Sequence, residues 1–232
     1  ATTTGKYGDG NYYLRLTKNG TPDAGEKIEL NNGAGTWLES EIVDAGFLEL
    51  VRLGIKSPND PLIVKSLKVV DEVLKVETPH GAGFYRYNHD GYGEYHDGRN
   101  WNYDKTWTGK GHLWALLSGE RGQYEIGMNN WLQSEAKKQT SEASKAAYSV
   151  QGAANKAIAY SRLDTMQKFA NDGMMIPEQV WSQNNGVFPF GEGARSATPL
   201  AWSMAQFIRL AMNLKAGKNL DTPEVVAKRY GN

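Results

Sequence analysis

Apolar and polar residues alternate at the start of the chain and then settle into helical spacing for most of its length. Tyr12, Leu14 and Leu16 alternate with Tyr13, Arg15 and Thr17, and a second short run, Lys27-Ile28-Glu29-Leu30, follows a turn-rich stretch. With Asn19-Gly20 and Pro22-Asp23 between the runs, the pattern predicts an N-terminal β-hairpin region. After Asn31-Asn32-Gly33 the period changes: Ile42, Val43, Phe47, Leu50 and Val51 recur every three or four residues until Gly54. The next helix is punctuated by Asp60 as N-cap and Pro61 in the first turn, where a missing N–H costs nothing. Ile63, Leu67, Val70 and Leu74 form its stripe, and Thr78-Pro79 ends it.

Further along, a helical region starts near His112-Leu113-Trp114, with a break expected at Gly119 before it resumes through Tyr124. Residues 129–161, rich in Ala, Lys and Ser, read as a loosely specified helix that runs into a firmer face of Leu163, Met166, Phe169 and Ala170. A strong helix follows from Thr198-Pro199 to Leu214, with Leu200, Met204, Phe207, Ile208 and Ala211 as its expected inner stripe. Thr222-Pro223-Glu224 starts a short terminal helix. Helices joined in pairs, without regularly alternating strands, predict an all-α architecture. Two connections are unusually long, 77–109 and 171–197, and both are rich in glycine and aromatic residues. Structured loops of that length commonly carry function.

Composition narrows the function classes. The 232 residues carry 26 basic and 26 acidic side chains, so no net positive charge is available for nucleic-acid binding through counterion release. Hydrophobic content of 40% and aromatic content of 11% exclude a disordered chain. No apolar run approaches the ~20 residues of a membrane span. No cationic leader opens the chain, so a secretion signal is expected to have been removed or never present. With no cysteine, disulfides, thiolate metal sites and cysteine nucleophiles are all excluded.

The sharpest chemical feature is Met175-Ile176-Pro177-Glu178-Gln179-Val180-Trp181. Apolar neighbours raise a carboxyl pKa and aromatic faces stack on sugar rings, a combination suited to carbohydrate chemistry. The plainer reading is that Glu178 caps a helix beginning at Pro177. A second cluster, Tyr85-Arg86-Tyr87-Asn88-His89-Asp90-Gly91-Tyr92-Gly93-Glu94, sets a guanidinium and carboxylates among three tyrosines. Arginine's planar fork can hold two ring hydroxyls while tyrosines cover the ring's faces; the alternative is a structural ion pair at Arg86. His89, Asp90, Glu94 and His96 match no helical zinc spacing, so no metal site is assigned. Gly109-Lys110-Gly111 lacks the strand and the Lys-Ser/Thr ending of a phosphate loop, and no serine sits in a nucleophile elbow.

Taken in order, five stretches resemble the catalytic domain of bacterial and archaeal glucoamylases and glucodextranases, glycoside hydrolase family 15. They are Val43-Asp44-Ala45-Gly46-Phe47-Leu48-Glu49-Leu50-Val51-Arg52-Leu53-Gly54, then Tyr85 to Glu94, then Gly111-His112-Leu113-Trp114 through Gly119-Glu120-Arg121-Gly122. Ile176-Pro177-Glu178-Gln179-Val180-Trp181 follows, and Gly191-Glu192-Gly193 to Ser203-Met204-Ala205-Gln206 completes the series.

The resemblance implies an (α/α)6 barrel, of which residues 1–232 would be the C-terminal portion, about the second half of its helices. It implies inverting hydrolysis that releases β-glucose from the non-reducing ends of α-glucans, two carboxyls lying roughly 6.5–9.5 Å apart across the scissile bond. By resemblance Glu178 is the catalytic general base, Arg86 and Trp114 line the glucose subsite, and Tyr87, Asp90, Glu120 and Trp181 are further substrate-binding candidates. The family's general acid lies in a tryptophan-glutamate-glutamate segment that this sequence lacks. An open half-ring would expose apolar helix faces, so an N-terminal half on a companion chain is the expected partner, besides an α-glucan or maltooligosaccharide substrate. No cofactor is required, a structural calcium ion is compatible with the family, and the implied setting is extracellular or periplasmic. Ser182 stands where relatives commonly have an aspartate, Ala115 where they have a proline, and 129–155 is longer than usual. These departures leave the linkage open, including a disaccharide such as trehalose. The alternative from another class is a non-catalytic carbohydrate-binding or interaction protein that kept the fold.

Overall fold

A computed structural model describes residues 1–30, 34–95, 111–184 and 188–230. Among the described residues six helices dominate: α1 (Leu48–Arg52), α2 (Pro61–Val73), α3 (Ala115–Lys138), α4 (Glu142–Lys168), α5 (Ala201–Ala216) and α6 (Glu224–Tyr230). Before and between them, among the described residues, lie three antiparallel strand pairs. They are β1 (Lys27–Leu30) with β2 (Gly35–Leu38), β3 (Lys75–Thr78) with β4 (Gly81–Phe84), and β5 (Leu113–Trp114) with β6 (Gln179–Val180). The all-α reading therefore stands, with small sheets as connectors.

The α2 start follows its sequence signals. The Asp60 carboxylate accepts the Leu62 and Ile63 N–H groups at 2.9 and 3.4 Å, and Pro61 takes the first helical position. Such a cap stabilises a helix by about 1 kcal/mol. Its stripe, Ile63, Leu67, Val70 and Leu74, packs with Tyr12, Phe47, Val51, Phe84 and Tyr124 in the largest apolar cluster. Ile63 is wholly buried there, and Ile63→Ala would cost on the order of 2–5 kcal/mol.

The structure departs from several expectations. The 12–17 run is not a strand: Tyr12 makes only an isolated bridge to Thr2, and the N-terminal hairpin is β1–β2, one turn later. Tyr12 is instead a core residue whose hydroxyl donates to the Ser40 carbonyl at 2.7 Å. Ile42 and Val43 are buried but precede α1, which spans only Leu48–Arg52. Helix α2 does not run to Thr78-Pro79; it stops at Val73, and β3 and β4 turn back at once. Helix α3 passes through Gly119 unbroken. A methyl group at Gly119 would sit 2.7 Å from both Gln206 Cγ and Met166 Sδ, and one at Gly122 would sit 2.8 Å from Leu210 Cδ2. Those glycines let α4 and α5 approach α3, an advantage that outweighs their roughly 1 kcal/mol helix penalty.

The first half of α3 is buried on nearly all sides, its one internal cation fully compensated. The Arg121 guanidinium donates to both Asp71 oxygens at 3.0 Å and to Glu125 at 3.1 Å. Helix α5 departs from its expected stripe: Ser203, Gln206, Leu210, Asn213 and Leu214 are buried, while Ile208 faces outward.

Candidate active site

Two connections meet where α3 and α5 begin. β5 leads into α3 and pairs with β6 in the register Leu113↔Val180 and Trp114↔Gln179. The N-terminal end of α5 is tied to the segment before β6: Leu200 N–H donates to Ile176 C=O at 3.0 Å and Ser203 Oγ to Pro177 C=O at 2.9 Å. The 192–197 return brackets β6, with Trp181 N–H bonding Glu192 C=O, Ala194 N–H bonding Gln179 C=O and Glu178 N–H bonding Ala197 C=O at 2.8–2.9 Å. Glu178 is therefore in a pinned extended segment. It does not cap a helix at Pro177, because no helix begins there.

The Glu178 carboxyl is buried, and desolvation pushes its pKa above the usual carboxylate range. A hydrogen bond from the Tyr92 side chain and the nearby Arg86 charge pull the other way and favour the ionised form. Gln179 Nε2 donates to the Tyr92 carbonyl at 3.0 Å, so the residue after the carboxylate anchors the loop that supplies its donor.

Arg86 is the centre of the second cluster. Its Nε and Nη2 donate to the Asp90 oxygens at 2.7 and 2.8 Å, a bidentate pair within one turn of loop. Asp90 also accepts Tyr92 N–H at 3.0 Å, so one buried carboxylate fixes both the guanidinium and the tyrosine. The Arg86 guanidinium lies 4.6 Å from the Trp114 ring centre and 5.2 Å from those of Tyr87 and Tyr92. The ion pair and the sugar-binding reading are thus compatible: Asp90 holds one edge of the fork while the cation remains among aromatic faces. His89 adopts φ 60° and stacks on Trp37 with ring centres 3.5 Å apart, closing the turn between the two partners.

The remaining candidates fall at different depths. Trp114 is buried at the start of α3, with Tyr92 on one side and Trp202 on the other at 6.2 and 6.4 Å. Tyr87 is buried behind Arg86, bridges Asp44 and carries the Arg15 guanidinium 3.7 Å from its ring centre. Trp181 is wholly buried, stacked on Phe188 at 4.8 Å and against His112 at 4.3 Å, and so supports the wall from behind. Glu120 lies on α3 toward a different set of charges, Glu49, Asp44, Arg52 and Arg209, and its pKa is pushed up to about 7, chiefly by burial.

Sequence reasoning missed three supports. Tyr92 touches the candidate base; its place in the Tyr85–Glu94 cluster was the available signal. Arg15 hid in an apparent strand. The buried Glu94 carboxylate accepts Arg195 N–H at 2.5 Å and lies 3.6 Å from His112 Nε2, holding the 192–197 return from below. Of the metal-like set, His96 lies outside the described residues, as do Gly109 and Lys110 of the glycine cluster and the loop aromatics Trp101, Tyr103 and Trp107. Among the described residues no three histidine or carboxylate side chains gather as metal ligands. No described helix is long and apolar enough to cross a membrane.

Comparison with known proteins follows the same outline. The family described as "Glycosyl hydrolases family 15" matches residues 2–212. A glucoamylase from Clostridium sp. (strain G0005) is 40% identical over 99% of this chain. A crystal structure of a bacterial glucoamylase complexed with acarbose superimposes over the whole chain with a TM-score of 0.81 and 41% identity. The chain spans only 27% of the first protein and 29% of the second.

Proposed function

The chain belongs to glycosyl hydrolases family 15, and from that premise we propose that it supplies the general-base side of an exo-acting glucan hydrolase. The observation that carries the reading is the Glu178 carboxyl, buried beside the Tyr92 hydroxyl and the Arg86 charge. Burial raises its affinity for a proton, and the two polar neighbours keep an ionised form available. A carboxylate so balanced can take a proton from water as that water attacks the anomeric carbon. The bond to the leaving oxygen breaks on the opposite face, and an acid on that side must protonate the departing oxygen. Inversion to β-glucose follows from attack opposite the leaving group. Arg86 and Trp114 would hold the terminal ring, the fork donating to hydroxyls and the indole covering an apolar face. Asp90, Tyr87 and Trp181 act through them, by fixing the guanidinium and backing the wall.

The proton donor is assigned to the part of the barrel that this chain does not include, since the matched proteins are more than three times as long. The same reading makes an α-glucan or maltooligosaccharide the substrate and places the enzyme outside the cytoplasm.

The test is anomer-resolved glucose release from maltooligosaccharides by this chain paired with its complementary part. β-Glucose is expected, and Glu178→Gln should lower the rate by about 10²–10⁴ while oligosaccharide binding survives. Undiminished turnover in that variant sinks the assignment. Binding without release by the wild-type pair would instead favour a carbohydrate-binding protein.

A further inference from the structure

A trough of about 760 Å³ opens between α2 and α4, with α3 as its floor, a volume in the range of ligand sites. None of the candidate active-site residues lies in its wall. Trp131, which does, follows Trp114 by 17 residues along α3, about 25 Å at the helical rise. On α4 the wall includes Tyr148, Gln151, Asn155 and Arg162, spaced by three, four and seven residues and so on one face. From Tyr148 to Arg162 that face runs about 21 Å.

The chemistry changes along the trough. At one end the Trp131 and Tyr148 rings, both half-buried, meet edge to face with centres 6.4 Å apart. In the middle Asn155 Nδ2 donates to the Gln151 carbonyl at 2.9 Å, which leaves its Oδ1 as an acceptor, and the Gln151 side chain is exposed. At the other end the Arg162 guanidinium lies 5.4 Å from the Phe84 ring centre, and its buried Nε has no hydrogen-bond partner among the described residues. The carboxylates in the wall, Asp71 and Glu125, are both bonded to Arg121. Burial and the Arg121 charge disfavour the Arg162 cation, and Glu125, Asp71 and Glu77 offset them only in part. A buried donor left unpaired is costly, so Arg162 gains from any ligand oxygen that reaches it.

We infer that this trough is a second glucan-binding site. A linear α-linked oligosaccharide lies along α4, with a ring against Trp131 and Tyr148 and hydroxyls on Gln151, Asn155 and Arg162. That the sugar is an α-glucan rests on the hydrolase reading above; the place and the ligand's form rest on the wall. A small anion would engage Arg162 alone and leave the amides and the ring pair, two to four turns away, without use. A row of hydroxylated rings uses all of them: aromatic faces, carboxamides that both donate and accept, and a guanidinium fork. Held here, a long glucan stays on the enzyme while the Arg86–Trp114–Glu178 wall remains free for a chain end.

The test titrates maltoheptaose into this chain paired with its complementary part, with Glu178→Gln in place so that the sugar survives, and calorimetry counts the sites. Two are expected. Trp131→Ala and Arg162→Gln should each weaken one of them about tenfold, and Arg86→Ala should weaken only the other. Gln151→Ala should weaken the same site as Trp131→Ala by a smaller factor; Gln151 is exposed, so this variant keeps the fold even if the other two do not. With Glu178 intact, Trp131→Ala should leave kcat/KM for maltotriose unchanged and raise KM for a long soluble glucan. A single site that Arg86→Ala removes, two sites indifferent to the trough variants, or uptake of inorganic phosphate at Arg162 with no second maltoheptaose bound would each overturn the inference. Two sites without glucose release by the wild-type pair leave the trough standing and sink the hydrolase reading instead.

Discussion

Glu178, buried, and Glu120, half-buried, are both glutamates that desolvation drives above the ordinary carboxyl range, yet their neighbours divide them. Around Glu178 the Tyr92 hydrogen bond and the Arg86 charge both favour the anion. Around Glu120 the charges of Glu49 and Asp44 add to burial, and Arg52 and Arg209 only partly offset them, leaving a pKa of about 7. A perturbed pKa alone would rank Glu120 first as the functional acid or base. Geometry reverses the order: Glu178 adjoins a cation set among aromatic rings, whereas Glu120 lies near a knot of ion pairs in which Arg52 bonds Glu49 and Asp221. A general base needs raised proton affinity together with neighbours that let it give up the proton, and the proposal for Glu178 rests on that balance.

The largest expected effect comes from removing the proposed base. Glu178→Gln is expected to lose about 10²–10⁴ in rate, the widest effect of any substitution here. The next is Arg86→Ala, which removes a bidentate cation and uncovers Trp114. Charge-assisted hydrogen bonds contribute roughly 1.5–3 kcal/mol, so a loss of about 10–100-fold in kcat/KM is expected, mostly in KM. Asp90→Asn should follow in the same direction with a smaller loss, because the fork keeps one acceptor. An Arg86→Ala enzyme with unchanged kcat/KM would remove Arg86 from the site and leave Glu178 without its cation argument.

Much of this site was legible in the sequence, for reasons that can be traced. Pro177 and the apolar Ile176 and Val180 marked a buried carboxyl, and Arg86 four residues before Asp90 matched the observed pair. The Asp60-Pro61 signal located α2 to the residue. What failed was long-range. Gly119 read as a helix break because its cost is local and its benefit, contact with Gln206 and Met166, is not. The β3–β4 hairpin was hidden because Gly81-Ala82-Gly83 has low strand propensity. Ile208 looked like core because a helix's period shows that it has an apolar face, not what that face meets. Trp181 and Trp114 are equivalent in composition, and only the fold puts the first behind the wall and the second in it.

Tyr92→Phe changes the surroundings of Glu178 while keeping its carboxyl in place. The hydroxyl lowers the Glu178 pKa by bonding the anion, so its loss should raise that pKa further. A base works only when deprotonated, so the acidic limb of the kcat/KM profile should move to higher pH, with a modest loss at the plateau. A limb that stays in place, or moves down, would mean that Tyr92 does not act on Glu178.

The smallest effect, and the one that isolates the other glutamate, is in stability against pH. Glu120 has a folded pKa of about 7 against an ordinary 4.5. The native state therefore holds a proton that the unfolded chain releases. The stabilisation from that proton is fully present below about pH 4.5 and is lost as pH rises through about 7. Its size is bounded at about 3 kcal/mol by the shift, and some will be recovered by relaxation of the surrounding ion pairs. Glu120→Gln cannot titrate, so urea denaturation at a series of pH values should give a flatter profile for the variant than for wild type. Parallel profiles would place Glu120 in contact with solvent or fully compensated by Arg52 and Arg209, and its contrast with Glu178 would then rest on position alone. A flatter profile would establish that Glu120 holds a proton in the native state that the unfolded chain releases. Glu178, balanced by Tyr92 and Arg86, is the glutamate proposed to exchange its proton with water.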